Sequence, residues 1–195
     1  MILPIVAYGD PVLRKVGVEI DKDYPNLEEL IINMKETMYK ASGVGLAAPQ
    51  IGKAIRLFLV DASPFGEDEE LEEEERKVLA NFNHVFINPK ILKEEGDEWA
   101  FNEGCLSIPD VREDVFRQEQ ITIEFQNEKF EKQTMTLNGL AARVFQHEYD
   151  HIEGILFTDK LSSLKKRLIK KKLENISKGK IKADYRMRFP NLKKK

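Results

Sequence analysis

Only one of the 195 residues is cysteine, so no disulfide can form within the chain. That excludes a disulfide-built scaffold and fits a reducing compartment. No apolar run approaches the ~20 residues that a membrane-spanning helix needs. The opening stretch from Met1 to Ala7 has no basic flank and no long apolar segment ending in a cleavage site, so no secretory signal is expected. Internal repeats and low-complexity linkers are missing as well. What remains is a chain 42% hydrophobic and 33% charged, apolar enough for one core and too apolar for wholesale disorder. These features together predict a soluble cytoplasmic protein of one domain with a tail.

Charge is unevenly spread. Residues 164–195 hold 14 of the 31 Lys and Arg but only two of the 34 acids, a charge of +12 that leaves −15 for the first 163 residues. The division expected is therefore an acidic body, 1–163, followed by a basic helix and tail, 164–195, with different partners for the two.

Apolar residues at 27, 30, 31, 34 and 38 mark one face of a helix over 27–41, with Asn26 as its cap and Gly43 as its stop. Segments 55–60, 85–87, 121–125 and 133–137 read as strands, the last two joined by a turn around Asn127. Between them, residues 67–76 carry eight acids and one arginine, which predicts a solvated surface loop. A second helix opens at Asn138–Gly139 and runs to Gly154. A third covers 162–176, capped by Ser162, with Leu164, Leu168, Ile169, Leu173 and Ile176 forming one stripe. The fold class expected is α+β: mostly antiparallel sheets packed around a central helix, plus a C-terminal helix.

That central helix carries His147-Glu148-Tyr149-Asp150-His151. Residues four apart on a helix share a face, so both imidazoles can reach one divalent metal while Glu148 stands beside them. The chain has three histidines in all, and two of them fall at this spacing around a glutamate. Two ligands are too few for a catalytic site, and Cys105, in a bend permitted by Gly104, is the outstanding third. A thiolate with two imidazoles suits Fe(II), Zn(II), Ni(II) or Co(II). The small residues of 43–50 leave backbone open to a ligand, and Gln50 can offer an amide N–H to a developing oxyanion.

Three segments, GVGLAAPQ at 43–50, EGCLS at 103–107 and QHEYDH at 146–151, resemble the signature motifs of the peptide deformylases in order and approximate spacing. Residues 9–14, GDPVLR, are similar to that family's N-terminal segment, and the likeness covers about 4–165. The resemblance implies removal of the formyl group from N-formylmethionyl nascent peptides. Cys105, His147 and His151 would hold the metal, usually Fe(II). Glu148 would activate the attacking water, and Gln50 and the Leu106 N–H would meet the oxyanion. It further implies substrate contacts at Gly43, Val44, Gly45, Glu103, Arg112, Leu140 and Val144, and a ribosome contact through the basic C-terminal helix. HExxH also occurs in metalloproteases that cut internal peptide bonds, and a basic tail beside a structural metal would suit a nucleic-acid-binding protein. The three-ligand set argues against a closed structural site.

Overall fold

The computed structural model describes residues 1–191. The ordered elements are β1 (Ile5–Val6), α1 (Leu27–Lys40), β2 (Gly45–Ala47), β3 (Leu57–Asp61), α2 (Glu73–Ala80), β4 (Asn83–Cys105), β5 (Ile108–Gln126), β6 (Lys132–Asn138), α3 (Gly139–Ile152), α4 (Ser163–Ser177) and β7 (Met187–Arg188). An antiparallel five-stranded sheet runs in the order β2-β3-β4-β5-β6, and β1 pairs in parallel with β7. This is an α+β fold with α3, the helix bearing His147 and His151, packed on the sheet.

Alternation along the strands explains the layering. Leu57 and Leu59 of β3 join Val85 and Ile87 of β4 in packing on Leu30, Ile31, Met34 and Met38 of α1. Phe58, Val60 and Phe86 point to the other face, against Leu140, Val144 and Phe145 of α3. Residues 57–60 are continuously apolar because this part of the sheet is covered on both sides. Phe58, Phe86 and Phe145 meet with ring centroids 4.9–5.2 Å apart, which seats α3 on the sheet centre.

Several local expectations need correction. Residues 67–76 do not form a loop throughout: residues from Glu73 onward belong to α2, where acids in a first turn suit the positive end of the helix. Glu75 then caps α3, its Oε1 accepting from the Leu140 N–H at 3.0 Å, so Asn138 occupies the N-cap position without a side-chain bond. Asn26 likewise precedes α1 without capping it, in the left-handed region. Gly43 does not reverse the chain after α1; Ser42 does, at φ 53°, leaving the Gly43 N–H on the Met38 carbonyl. Ser162 does cap α4, accepting from the Lys165 N–H. The proposed α4 stripe divides: Ile169, Leu173 and Ile176 are buried against β5 and Phe157, while Leu164 and Leu168 are exposed. After α4 the chain folds back along β1; residues 192–195 of the expected tail lie outside the described residues.

Candidate active site

The HExxH motif occupies the last two turns of α3, and the spacing puts both rings on one side of it, with centroids 5.2 Å apart. Cys105 ends β4, and Leu106 and Ser107 make the tight connection to β5. The reversal thus falls at 106–107, not at Gly104, which is extended and paired with Arg112. A side chain at Gly104 would press on the Arg112 guanidinium, 2.7 Å from Nη1. The hairpin tip brings Cys105 Sγ to 3.3 Å from His151 Nε2. One ligand atom from each of Cys105, His147 and His151 lies within 4.8 Å of the others. The donor set fits a divalent transition metal: the Cys105 sulfur, His147 with Nδ1 engaged by Glu103 and Nε2 left for ligation, and His151, whose Nε2 faces that sulfur.

His147 Nδ1 donates to Glu103 Oε2 at 2.8 Å, the carboxylate–histidine pairing that fixes a ligating ring and its tautomer. Glu103 is buried and also takes both arms of Arg117, Nε to Oε1 at 2.7 Å and Nη2 to Oε2 at 3.0 Å, with Arg143 Nη1 at 3.1 Å. Arg117 continues to Asp150 Oδ2 at 2.6 Å. Burial alone would raise the Glu103 pKa, but the His147 and Arg117 bonds hold it well below the usual carboxylate range. Glu103, expected at the substrate, borders the cleft onto which the cluster opens, and its carboxylate also holds the metal ligand His147. Arg117, Arg143 and Asp150 were missed. The EGC motif offered one clue, since a buried glutamate demands cationic partners somewhere in the chain.

Glu148 lies across from the ligands, buried against Gly45, where any Cβ would run into Oε1. Among the described residues its buried Oε2 has no hydrogen-bond partner, and burial pushes its pKa up to about 7. Gln50 is fixed by the backbone three residues earlier: Oε1 accepts from the Ala47 N–H at 2.8 Å. Its Nε2 therefore faces Cys105 Sγ at 3.5 Å and Ser107 Oγ at 3.4 Å.

These residues open on a cleft of ≈ 450 Å³. Gly43, Val44, Gly45, Gln50, Glu103, Cys105, Leu106, Arg112, Val144, His147 and Glu148 all border it, joined by Phe65, Phe101 and Arg143. Leu140 borders instead an adjoining cavity that shares Phe65 and Phe101. Arg112 stands exposed at the rim, its Nε on Asn102 Oδ1 at 2.9 Å.

A sequence model of the family described as polypeptide deformylase matches residues 2–167. The chain belongs to that family. A peptide deformylase of Christiangramia forsetii is 71% identical over 194 residues, covering 100% of this chain and 99% of that protein. Among solved structures, the Legionella pneumophila peptide deformylase superposes with TM-score 0.78 at 35% identity, over 92% of this chain and 98% of that one. The Thermotoga maritima peptide deformylase gives TM-score 0.72 at 38% identity, over 83% of this chain and 99% of that one. The enzyme is a metal-dependent deformylase that removes an N-formyl group, and its metal site is Cys105, His147 and His151. The Christiangramia forsetii relative is bacterial, as is one of Flavobacterium johnsoniae at 65% identity, and no helix among the described residues is long and apolar enough to cross a membrane.

Proposed function

We propose that this deformylase acts in the cytoplasm on formylmethionyl chains as they leave the ribosome, with Fe(II) as its native ion and Glu148 as the group that moves the proton. The observation that carries the reading is the buried, unpartnered Glu148 oxygen beside the Cys105–His147–His151 cluster. A divalent ion held there supplies a Lewis acid and lowers the pKa of water. Glu148 accepts the proton of the attacking water, keeps it while the formyl carbon is tetrahedral, and returns it to the leaving amine as formate departs. Gln50 Nε2 and the Leu106 N–H donate to the oxygen that gains charge. The substrate backbone adds along β2, the sheet's terminal strand. Val44, Val144, Phe65 and Phe101 take the methionine side chain, with Arg112 at the rim beside the peptide that follows.

The test is hydrolysis of formyl-Met-Ala-Ser under anaerobic conditions, beside an unformylated peptide with internal bonds. Formate release from the first and no cleavage of the second is the expected result; internal cleavage would instead indicate a protease. A thiolate with Fe(II) in an open cleft is prone to oxidation. The iron form should therefore lose activity in air over hours while Ni(II) or Co(II) forms persist. Equal lifetimes in air would remove the case for iron.

The ribosome contact is assigned to the outer face of α4, where Arg167, Lys170, Lys171 and Lys172 are exposed beside Leu164 and Leu168. Cutting the chain after Ser163 is a poor test, because it strips Ile169, Leu173 and Ile176 from the core. Replacing Lys170, Lys171 and Lys172 together by alanine leaves that core intact. Cosedimentation with ribosomes should weaken and lose part of its salt dependence, since each lost phosphate contact removes roughly one released counterion. Turnover of the short formyl peptide should not change. Unaltered cosedimentation at low and moderate salt would exclude this face.

A further inference from the structure

The segment after α4 reaches the active site. Tyr185 lies beyond residues 2–167, the part matched by the family's sequence model, and the Thermotoga maritima enzyme aligns with only 83% of this chain although 99% of its own length is covered. The Tyr185 hydroxyl donates to the Leu106 carbonyl at 2.8 Å. Its ring packs in the same apolar cluster as the Leu106 side chain. The backbone around it is anchored: the Ile5 N–H donates to the Arg186 carbonyl and the Ala7 N–H to the Arg188 carbonyl, both at 2.9 Å. The next residue along β1's exit, Tyr8, donates its N–H to the Ser107 carbonyl at 2.8 Å. Both carbonyls of the two-residue connection between β4 and β5 are thus held, one by the returning tail and one by Tyr8, just past the strand that the tail pairs with.

We propose that Tyr185 is a positioning residue for deformylation, setting the Leu106 backbone so that its N–H points at the developing oxyanion. The inference rests on the assignment of that N–H as an oxyanion donor. A two-residue reversal can swing its peptide planes through φ and ψ at small cost, and the Leu106 side chain is only partly buried. Fixing the Leu106 carbonyl pins the Leu106–Ser107 peptide plane and with it the Leu106 Cα; the preceding plane, which carries the Leu106 N–H, is then held between that Cα and Cys105, itself paired with Ile108. A tyrosine suits the task because only two side-chain torsions need holding, and packing already holds them. Burial pushes its phenol pKa up, so the hydroxyl keeps its proton and remains a donor at neutral pH. An oxyanion donor is useful only when preorganised, and removing one outright costs ~10²–10³ in kcat; a donor left in place but loosened should cost about tenfold.

Tyr185→Phe in the metal-loaded enzyme separates this role from a packing role, because the ring stays and only the hydroxyl goes. On formyl-Met-Ala-Ser, kcat should fall about tenfold with KM within about twofold and metal content unchanged. A lower melting temperature with kcat at the wild-type value would overturn the proposal. Gln50→Ala, measured alongside, tells which idea has failed. If it slows the enzyme and Tyr185→Phe does not, the oxyanion reading stands and the role of Tyr185 falls; if neither slows it, both fall. Should the phenylalanine variant not fold, 3,5-difluorotyrosine placed at 185 alters the donor strength while keeping the ring. A changed kcat then supports the role, and an unchanged one overturns it.

Discussion

Glu148→Gln should bind its metal as tightly as the parent and lose ~10²–10⁴ of kcat on a formyl peptide, the range typical of a positioned acid–base group. The two halves of that expectation have separate origins. Metal retention follows because the ligand cluster is Cys105, His147 and His151, without Glu148. Loss of turnover follows because an amide of the same shape cannot take up a proton and give it back. The environment favours this role. Burial raises the Glu148 pKa to about 7, so near neutral pH neither the acid nor the carboxylate is strongly preferred. The rate depends on the carboxylate form and should rise with pH through this pKa. A divalent cation nearby favours the charged form, so in the loaded enzyme the acid limb belongs below pH 7. That limb should vanish in the Gln variant. Stopped assays across pH with metal analysis of each preparation check all three statements. A variant with parental kcat, or one emptied of metal, would remove Glu148 from the role.

Much of this centre was legible because its chemistry depends on local spacing. Four residues along a helix fix the relation of His147 to His151, whatever the rest of the chain does. Cys105 was legible by scarcity, as the chain's single thiol. The strands β4 and β5 were far less so. Their distal halves, from Lys93 to Gly104 and from Arg112 to Gln120, are rich in charge and broken by bulges. They lack the apolar alternation that marks a half-buried strand because most of their side chains meet water. The arginines that steady Glu103 were hidden for another reason. Arg117 and Arg143 look in sequence like any surface arginine, and only the fold brings them to one carboxylate, from a strand and from α3. The acidic segment misled in the same way. Glu75 is one of eight acids in a row of ten residues, and nothing local distinguishes the one that caps the catalytic helix.

Arg117→Ala should be the most destabilising single change around the site. Arg117 is 5% exposed and spans two buried carboxylates, Glu103 and Asp150. Removing one partner from a buried ion pair leaves the others uncompensated and costs ~3–5 kcal/mol. For a chain of this size that is a fall in melting temperature of roughly 6–20 °C. The sign of the pH effect follows from Glu103. Its folded pKa is depressed, so the stability it contributes is present above the unfolded carboxylate pKa and is lost as pH falls toward the folded value. Without Arg117 the folded pKa rises toward the unfolded one. The contribution at neutral pH shrinks, and acid unfolding begins at a higher pH. The metal should feel the change too, because Glu103 orients His147; loss of such outer partners typically weakens metal binding ~10–100-fold. Arg117→Lys keeps a charge but loses the two-armed grip on Glu103 and should fall between the parent and alanine. Thermal melts of all three proteins at pH 7 and pH 5, with and without chelator, measure each effect. If the alanine variant melts with the parent at both pH values, the buried network carries neither the stability of the fold nor the orientation of His147.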